Sequence, residues 1–302
     1  MLARKTMTRI QANLVLLTVG ALWGMGFVAQ STAMEAIGPF FFVGLRFSVA
    51  ALSMLPFALR EASRAEQALS VAYWRVFAFI GMLLFGGMAA QQTGLITTTV
   101  TNSGFLTGLY VVMVPLLAVT LFRQPPHPAV WPAALLALAG IWFLSGGQIG
   151  ALAVGDWLTV LCAIFWALQL IFIARHASQT GRPVTLAVVQ FAVCGVLGLA
   201  VALSFETVDW TAVRHAVPEI LFTGIFSGGI AFTLQAVGQR YTTAPQAAIF
   251  LASEAVFAAL FGIWLLGERL PATGFLGCAL ILAAILIVEV GPTIGRKRPV
   301  TP

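Results

Sequence analysis

The sequence predicts an all-α, polytopic membrane protein whose ten transmembrane helices form two inverted five-helix repeats. Three observations carry that prediction. The composition is too poor in charge for water, ten apolar runs alternate with loops of unequal basic content, and the chain matches itself weakly at an offset of 144 residues.

The 302 residues are 60% hydrophobic and 9% charged, with a mean hydropathy of +0.98. A soluble domain carries roughly 25% charged residues, so this chain cannot cover a globule with polar surface, and the lipid bilayer is its main solvent. Strands of a membrane barrel alternate in polarity over about ten residues, whereas the apolar runs here are continuous and near helical spanning length. The net charge is +6 and the pI about 9.9. Most Lys and Arg lie in short loops between apolar runs, where they set topology, and no nucleic-acid partner is expected. Cys162, Cys194 and Cys278 lie inside apolar runs without a CxxC pair, as small helix residues do. Arg4, Lys5 and Arg9 precede a run from Leu14 to about Ala33. That run is too long for a typical leader h-region and reads as a first spanning helix.

A helix needs about 20 apolar residues to cross the hydrocarbon core. The segments that meet this are Ala12–Met34, Pro39–Leu59, Trp74–Gly94, Thr98–Phe122, Ala129–Ser145, Trp157–Arg175, Val184–Phe205, Pro218–Gln239, Thr243–Leu266 and Ala272–Val290. The loops provide a check that is independent of hydropathy. With a cytoplasmic N-terminus, the inside holds Arg4, Lys5, Arg9, Arg60, Arg64, Arg75, Arg123, Arg175, Arg182, Arg240, Arg296, Lys297 and Arg298. The outside holds Arg214 and Arg269, and Arg46 lies within a span. This positive-inside pattern predicts both termini in the cytoplasm and a multi-pass protein of the cell inner (plasma) membrane. The outer loop Glu206–Glu219 contains Asp209, Trp210, Arg214 and His215 and has the composition of an interfacial amphipathic stretch.

Shifting the chain by 144 positions aligns Pro39 with Pro183, Phe47 with Phe191, Val49 with Val193 and Leu59 with Leu203. It also aligns Gln91 with Gln235, Gly94 with Gly238 and Thr98-Thr99 with Thr242-Thr243. Further on, Leu121 meets Leu265, Leu138-Ala139 meets Leu282-Ala283, and Gly147 meets Gly291. Trp23 and Trp166 align after a slip of one residue. Matches at Gln, Thr, Pro and Gly are harder to obtain by chance than matches at Leu and Ala. The units are expected at residues 1–147 and 148–302. Five spans per unit is an odd number, so the second unit enters from the opposite face. Inverted-topology repeats are common among secondary transporters, with the substrate site at the repeat interface near the midplane. Two such halves can rock to open one side and then the other.

Several motifs resemble those of the EamA family of the drug/metabolite transporter superfamily. They are Ala21-Leu-Trp-Gly-Met-Gly-Phe in span one, Gly44-Leu-Arg-Phe in span two and Gln92-Thr-Gly-Leu at the end of span three. Phe250-Leu-Ala-Ser-Glu-Ala-Val-Phe and Leu266-Gly-Glu-Arg in span nine complete the set. The resemblance covers nearly the whole chain and implies a secondary carrier of a small organic metabolite, an amino acid or related compound, exported by alternating access. The chain departs from the family pattern in two places. Glu254-Ala255 stands where the family often has Glu-Pro, and Arg123-Gln124-Pro125-Pro126 replaces a Gly-Glu pair after span four. Pro115 then remains as the proline available to loosen span four.

Glu254 is the carboxylate placed near the midplane, where a charged side chain costs a few kcal/mol or more unless it faces a cavity or a partner. It reads as a contact for a substrate amine or a carrier of protons, against a structural ion pair or a neutral, hydrogen-bonded group. Arg46, about two turns below the outer surface, reads as a ligand for a substrate carboxylate, a partner of Glu254, or a snorkelling cation. Among the amides at depth, Gln91 and Gln235 are repeat-related, and Gln190 holds the position equivalent to Arg46. Asn102 and Gln246 join this group, and for any single amide interhelical glue is the more frequent role. Trp23, Tyr110 and Trp166 lie deep enough to cage an apolar or aromatic substrate, with cation–π contacts open to them, although ordinary packing is the more frequent role for each taken singly. Trp74, Trp131, Trp157 and Trp264 sit near span ends, as interfacial belts do. Gly20-x3-Gly24, Gly104-x3-Gly108 and Gly224-x3-Gly228 permit close helix approach.

Lys5 and Lys297 are the two lysines, both terminal, so a phosphate-binding P-loop lysine is impossible. There is no HExxH, and no nucleophile–base pair or metal cluster is evident at depth. The chain is therefore read as no enzyme, with no cofactor and no metal site. A channel or a scaffold is the alternative class. Apolar outer faces on spans five and ten would permit a homodimer.

Overall fold

The computed structural model describes residues 7–34, 37–98, 100–144, 153–266 and 269–294. Arg4, Lys5, Glu35, Thr99, Ser145, Gly147, Gly267, Glu268, Arg296, Lys297 and Arg298 lie outside the described residues. So does the side chain of Asn102. Among the described residues the secondary structure is helical throughout, and eight helices are long and apolar enough to cross a membrane.

The first half runs through α1 (Arg9–Met34), α2 (Pro39–Ser63), α3 (Val71–Gly94), α4 (Val100–Gly108), α5 (Tyr110–Thr120) and α6 (Val130–Leu144). The second half runs through α7 (Val154–Thr180), α8 (Pro183–Phe205), the short α9 (Trp210–His215) and α10 (Val217–Phe222). A π-helical segment follows (Thr223–Ile230), then α11 (Ala231–Gln239), α12 (Ala244–Leu251), α13 (Ser253–Leu266) and α14 (Ala272–Ile294). Spans four and nine are each two consecutive helices, and span eight is α10, the π segment and α11 in series. The ten spans predicted from hydropathy are thus accounted for, with span six running on to Thr180 rather than ending near Arg175.

The starts and stops have local causes. Pro39 and Pro183 open α2 and α8, where a missing N–H costs nothing. Gly181 closes α7 at φ +64°, a left-handed conformation that glycine adopts without a Cβ penalty. The break in span four falls at Leu109, six residues before Pro115, and the break in span nine falls at Ala252, seven residues after Pro245, which opens the span's first helix. At both sites short i→i−3 bonds (Leu109 N to Leu106 O, Ala255 N to Ala252 O) interrupt the α pattern. The two breaks occupy equivalent places in the two halves.

Packing repeats under exchange of the halves. Span two lies along span seven and span five along span ten, each pair being its own counterpart. Span three packs on spans six and seven, and span eight correspondingly on spans one and two. Span four packs on span six, and span nine on span one. The closest approaches use small residues. A Cβ on Gly24 would come 2.7 Å from Ala258 N, and one on Gly224 would come 3.0 Å from the Arg46 carbonyl oxygen. Gly104 faces open space, so its motif makes no close crossing at that position.

The pairing of α2 with α8 shows the inversion most directly. The Glu61 carboxylate, near the end of α2, accepts from Val184 N (3.1 Å), Thr185 N (2.7 Å) and Thr185 Oγ1 (2.7 Å) at the start of α8. The Glu206 carboxylate, just past the end of α8, accepts from Phe40 N and Phe41 N (both 2.8 Å) at the start of α2. Each carboxylate satisfies orphan amides and meets the positive end of a helix dipole. Glu61→Ala and Glu206→Ala are each expected to lower stability by about 1–2 kcal/mol, with Gln retaining part of the loss. Urea or thermal unfolding in detergent reads this, and a loss below a few tenths of a kcal/mol for both would contradict the assignment.

Candidate functional site

A cavity lies where the two halves meet. Its volume is about 50 Å³ of room for water centres, enough for a few waters. Spans one, two, three, four, six, eight and nine all contribute to its wall.

One side carries Tyr110 and Glu254. The Tyr110 hydroxyl donates to Glu254 Oε1 at 3.2 Å. These residues are 144 positions apart, the repeat offset, so the bond joins a residue to its own counterpart across the pseudo-two-fold axis. Each sits at the start of the helix that follows its span's break. Beside them, Gln91 Nε2 donates to Thr107 Oγ1 at 3.1 Å.

The middle is aromatic. Trp166 stacks on Phe232 with centroids 5.6 Å apart, and Trp23 tilts against both at 4.7 Å from Phe232 and 6.3 Å from Trp166. The two tryptophans are repeat counterparts within one residue. Trp23 Nε1 donates to the Ser227 carbonyl oxygen at 3.0 Å. The Trp166 N–H, in a side chain 9% exposed, has no oxygen or nitrogen partner.

The other side carries Arg46, which is 1% exposed. Its Nη1 donates to Gln30 Oε1 at 2.8 Å and its Nη2 to Ser227 Oγ at 3.1 Å. Gln30 Oε1 also accepts from Gln92 Nε2 at 3.2 Å. Ser227 lies in the middle of the π segment, whose wider turn brings both its hydroxyl and its carbonyl to this site. Such segments inside α-helices frequently mark functional sites.

The second half holds a neutral version of this arrangement. Gln235 Nε2 donates to Gln169 Oε1 (3.4 Å), and Gln169 Nε2 to Gln190 Oε1 (3.1 Å). Spans one, two and three thus present Gln30, Arg46 and Gln92, while spans six, seven and eight present Gln169, Gln190 and Gln235. Only Gln235 of the second set reaches the cavity wall.

The structure therefore gathers Glu254, Arg46, Gln91, Gln235, Trp23, Tyr110 and Trp166 around one cavity. Gln190 lies behind Gln235 in the amide chain. Gln246 is drawn elsewhere, donating to Glu289 at 3.3 Å, where Asn13 also donates (2.5 Å) and Arg9 lies 3.6 Å away. Asn102 belongs to α4, and its side chain is outside the described residues. Arg46 and Glu254 face the same cavity without an ion pair between them. Sequence reasoning missed Gln30, Ser227, Thr107 and Phe232. Gln30 had a legible signal, an amide in the apolar run that follows Asn13 in span one, whereas Ser227 depends on a π turn that no local residue pattern announced. No group of three metal-ligating side chains is found among the described residues.

The chain matches the model of the EamA-like transporter family twice, over residues 10–146 and 153–290. An uncharacterized transporter of Archaeoglobus fulgidus is 32% identical over 281 residues, covering 93% of this chain and 86% of that protein. A probable amino-acid metabolite efflux pump of Escherichia coli strain K12 is 26% identical, covering 93% of this chain and 95% of that protein. The uncharacterized inner membrane transporter YedA of the same strain is 24% identical, covering 92% and 90%. A solved crystal structure superimposes with a TM-score of 0.81 at 20% identity, covering 96% of this chain and all of that one, and shares its fold. Two family matches, one to each five-span half, together with a relative above 30% identity over nearly the full length, make this chain a member of the EamA-like transporter family, a multi-pass membrane transporter.

Proposed function

We propose that this transporter is a secondary carrier that exports an amino acid or a related amphoteric metabolite by alternating access between residues 1–147 and 148–302. The supporting observation is one cavity that offers a buried guanidinium at one side, a carboxyl at the other and an aromatic wall between them. A solute with a carboxylate, an ammonium and a small or aromatic body matches that order of groups. Arg46 takes the carboxylate in the bidentate manner open to a guanidinium, Glu254 with Tyr110 takes the ammonium, and Trp23, Trp166 and Phe232 hold the body. Gln91 and Gln235 supply hydrogen bonds from the two halves. Export agrees with the name of the E. coli relative, a probable amino-acid metabolite efflux pump.

Counterflow in proteoliposomes tests the reading. Saturable exchange of amino acids is expected, and Arg46→Gln should weaken the apparent affinity for zwitterions at least tenfold while affecting simple amines much less. A loss of one buried charge-assisted contact of about 1.5–3 kcal/mol corresponds to that range. Passage without saturation or counterflow would identify a channel instead.

Glu254 is also assigned the coupling proton. Glu254→Gln is then expected to abolish the response of transport to an imposed pH gradient while leaving exchange at equal pH measurable. A retained gradient response would remove that role.

Both termini are assigned to the cytoplasm of the cell inner membrane. A C-terminal reporter active only in the cytoplasm should be active, and one active only outside should be silent. The opposite result would invert the placement of Arg46 relative to the two faces.

A further inference from the structure

Arg46 is a buried cation whose hydrogen-bond partners are neutral. Gln30 and Ser227 take its two Nη groups, and its Nε has no partner. The Phe47 ring lies 5.2 Å from the guanidinium carbon, and the free Cys194 is a further neighbour. Among the described residues the ion pair within 4.0 Å is Arg9 with Glu289, at the far inner end of the bundle. Desolvating a charge without an ionic partner costs more than a cation–π contact returns. The guanidinium faces the central cavity, whose carboxyl, Glu254, is bonded to Tyr110 rather than to Arg46, so a counter-charge in contact with the guanidinium would be taken up from that cavity.

The size of the cavity decides what can supply it. Room for a few waters does not admit an amino acid, but it admits a halide or a one-carbon carboxylate. The walls also carry donors in want of an acceptor, since Arg46 Nε and the Trp166 N–H are buried without oxygen or nitrogen partners. We propose that the central cavity holds a small monoanion, chloride or formate by chemistry, against Arg46 and Ser227, and that the carboxylate of the transported solute displaces it. The displacement step rests on the carrier reading above; the anion site itself does not.

The test uses the purified full-length chain in detergent without organic solute. Thermal stability is followed while sodium gluconate, too large for the cavity, is replaced by sodium chloride or sodium formate at constant ionic strength. A saturable rise in melting temperature with either small anion is expected. Its half-saturating concentration should increase at least tenfold in Arg46→Gln, and several-fold in Ser227→Ala, which keeps the charge. Arg46→Lys should retain a weakened response, so the site stays testable if the Gln variant fails to fold. No difference between the small anions and gluconate, or an unchanged response in both Arg46→Lys and Ser227→Ala, would overturn the proposal. Amino-acid counterflow without any small-anion effect would remove the anion site and leave the carrier reading standing. A small-anion effect centred on Arg46 without amino-acid counterflow would establish the site and refute the proposed substrate class.

Discussion

An axis of inverted symmetry forces whatever lies on it to meet its own counterpart, and the centre of this molecule is built from such meetings. Tyr110 bonds Glu254, Phe47 packs on Phe191 at 6.0 Å, and Trp23 faces Trp166. Around them, spans two and seven run antiparallel and close each other's N-termini with Glu61 and Glu206. In lipid there is no water to satisfy exposed backbone groups, so a helix end near the bilayer must find its partners within the protein. The symmetric pair answers this need twice with one device, and it thereby fixes the helix that carries Arg46.

The symmetry is architectural rather than chemical. Where identical side chains occupy both halves, as with Gln91 and Gln235, the site has matching polar walls. Where they differ, the halves acquire different tasks. Arg46 and Gln190 hold equivalent places, but one is a cation open to the cavity and the other is a neutral link in a buried amide chain. The charge at the site is therefore placed off the axis, on the side of the cavity formed by Arg46, Gln30 and Ser227.

Span number, span order and the inverted repeat were legible because hydropathy, loop charge and identical residues at a fixed offset are properties of the chain itself. The Tyr110–Glu254 pair obeys the same offset yet was invisible as a match, since a phenol and a carboxyl do not look alike in a self-comparison. The Glu61 and Glu206 caps escaped because their register slips by one residue. Gln246 shows the opposite failure. Depth along a span identified it as a polar residue inside the membrane, but depth does not tell which way a helix faces, and Glu289 on span ten claims its amide. Pro115 was the natural place to expect a break in span four. The chain bends at Leu109 instead, matching Ala252 in span nine, so position in the repeat rather than proline locates both breaks.

Exchanging the conformations of two inverted halves converts each contact into the contact between its counterparts. Under that operation Tyr110–Glu254 and Phe47–Phe191 map onto themselves, and the Glu61 and Glu206 caps map onto each other. These contacts are unchanged by the exchange. The cluster at the shared end of spans one, nine and ten behaves differently. Asn13, Gln246 and Glu289 correspond to Trp157, Asn102 and Ser145, which cannot rebuild a carboxylate taking two amides and an arginine. The two ends of the bundle are consequently tied by different chemistry. The asymmetry between the halves originates in this Glu289 cluster and in the off-axis charge of Arg46, because contacts on the axis belong equally to both halves.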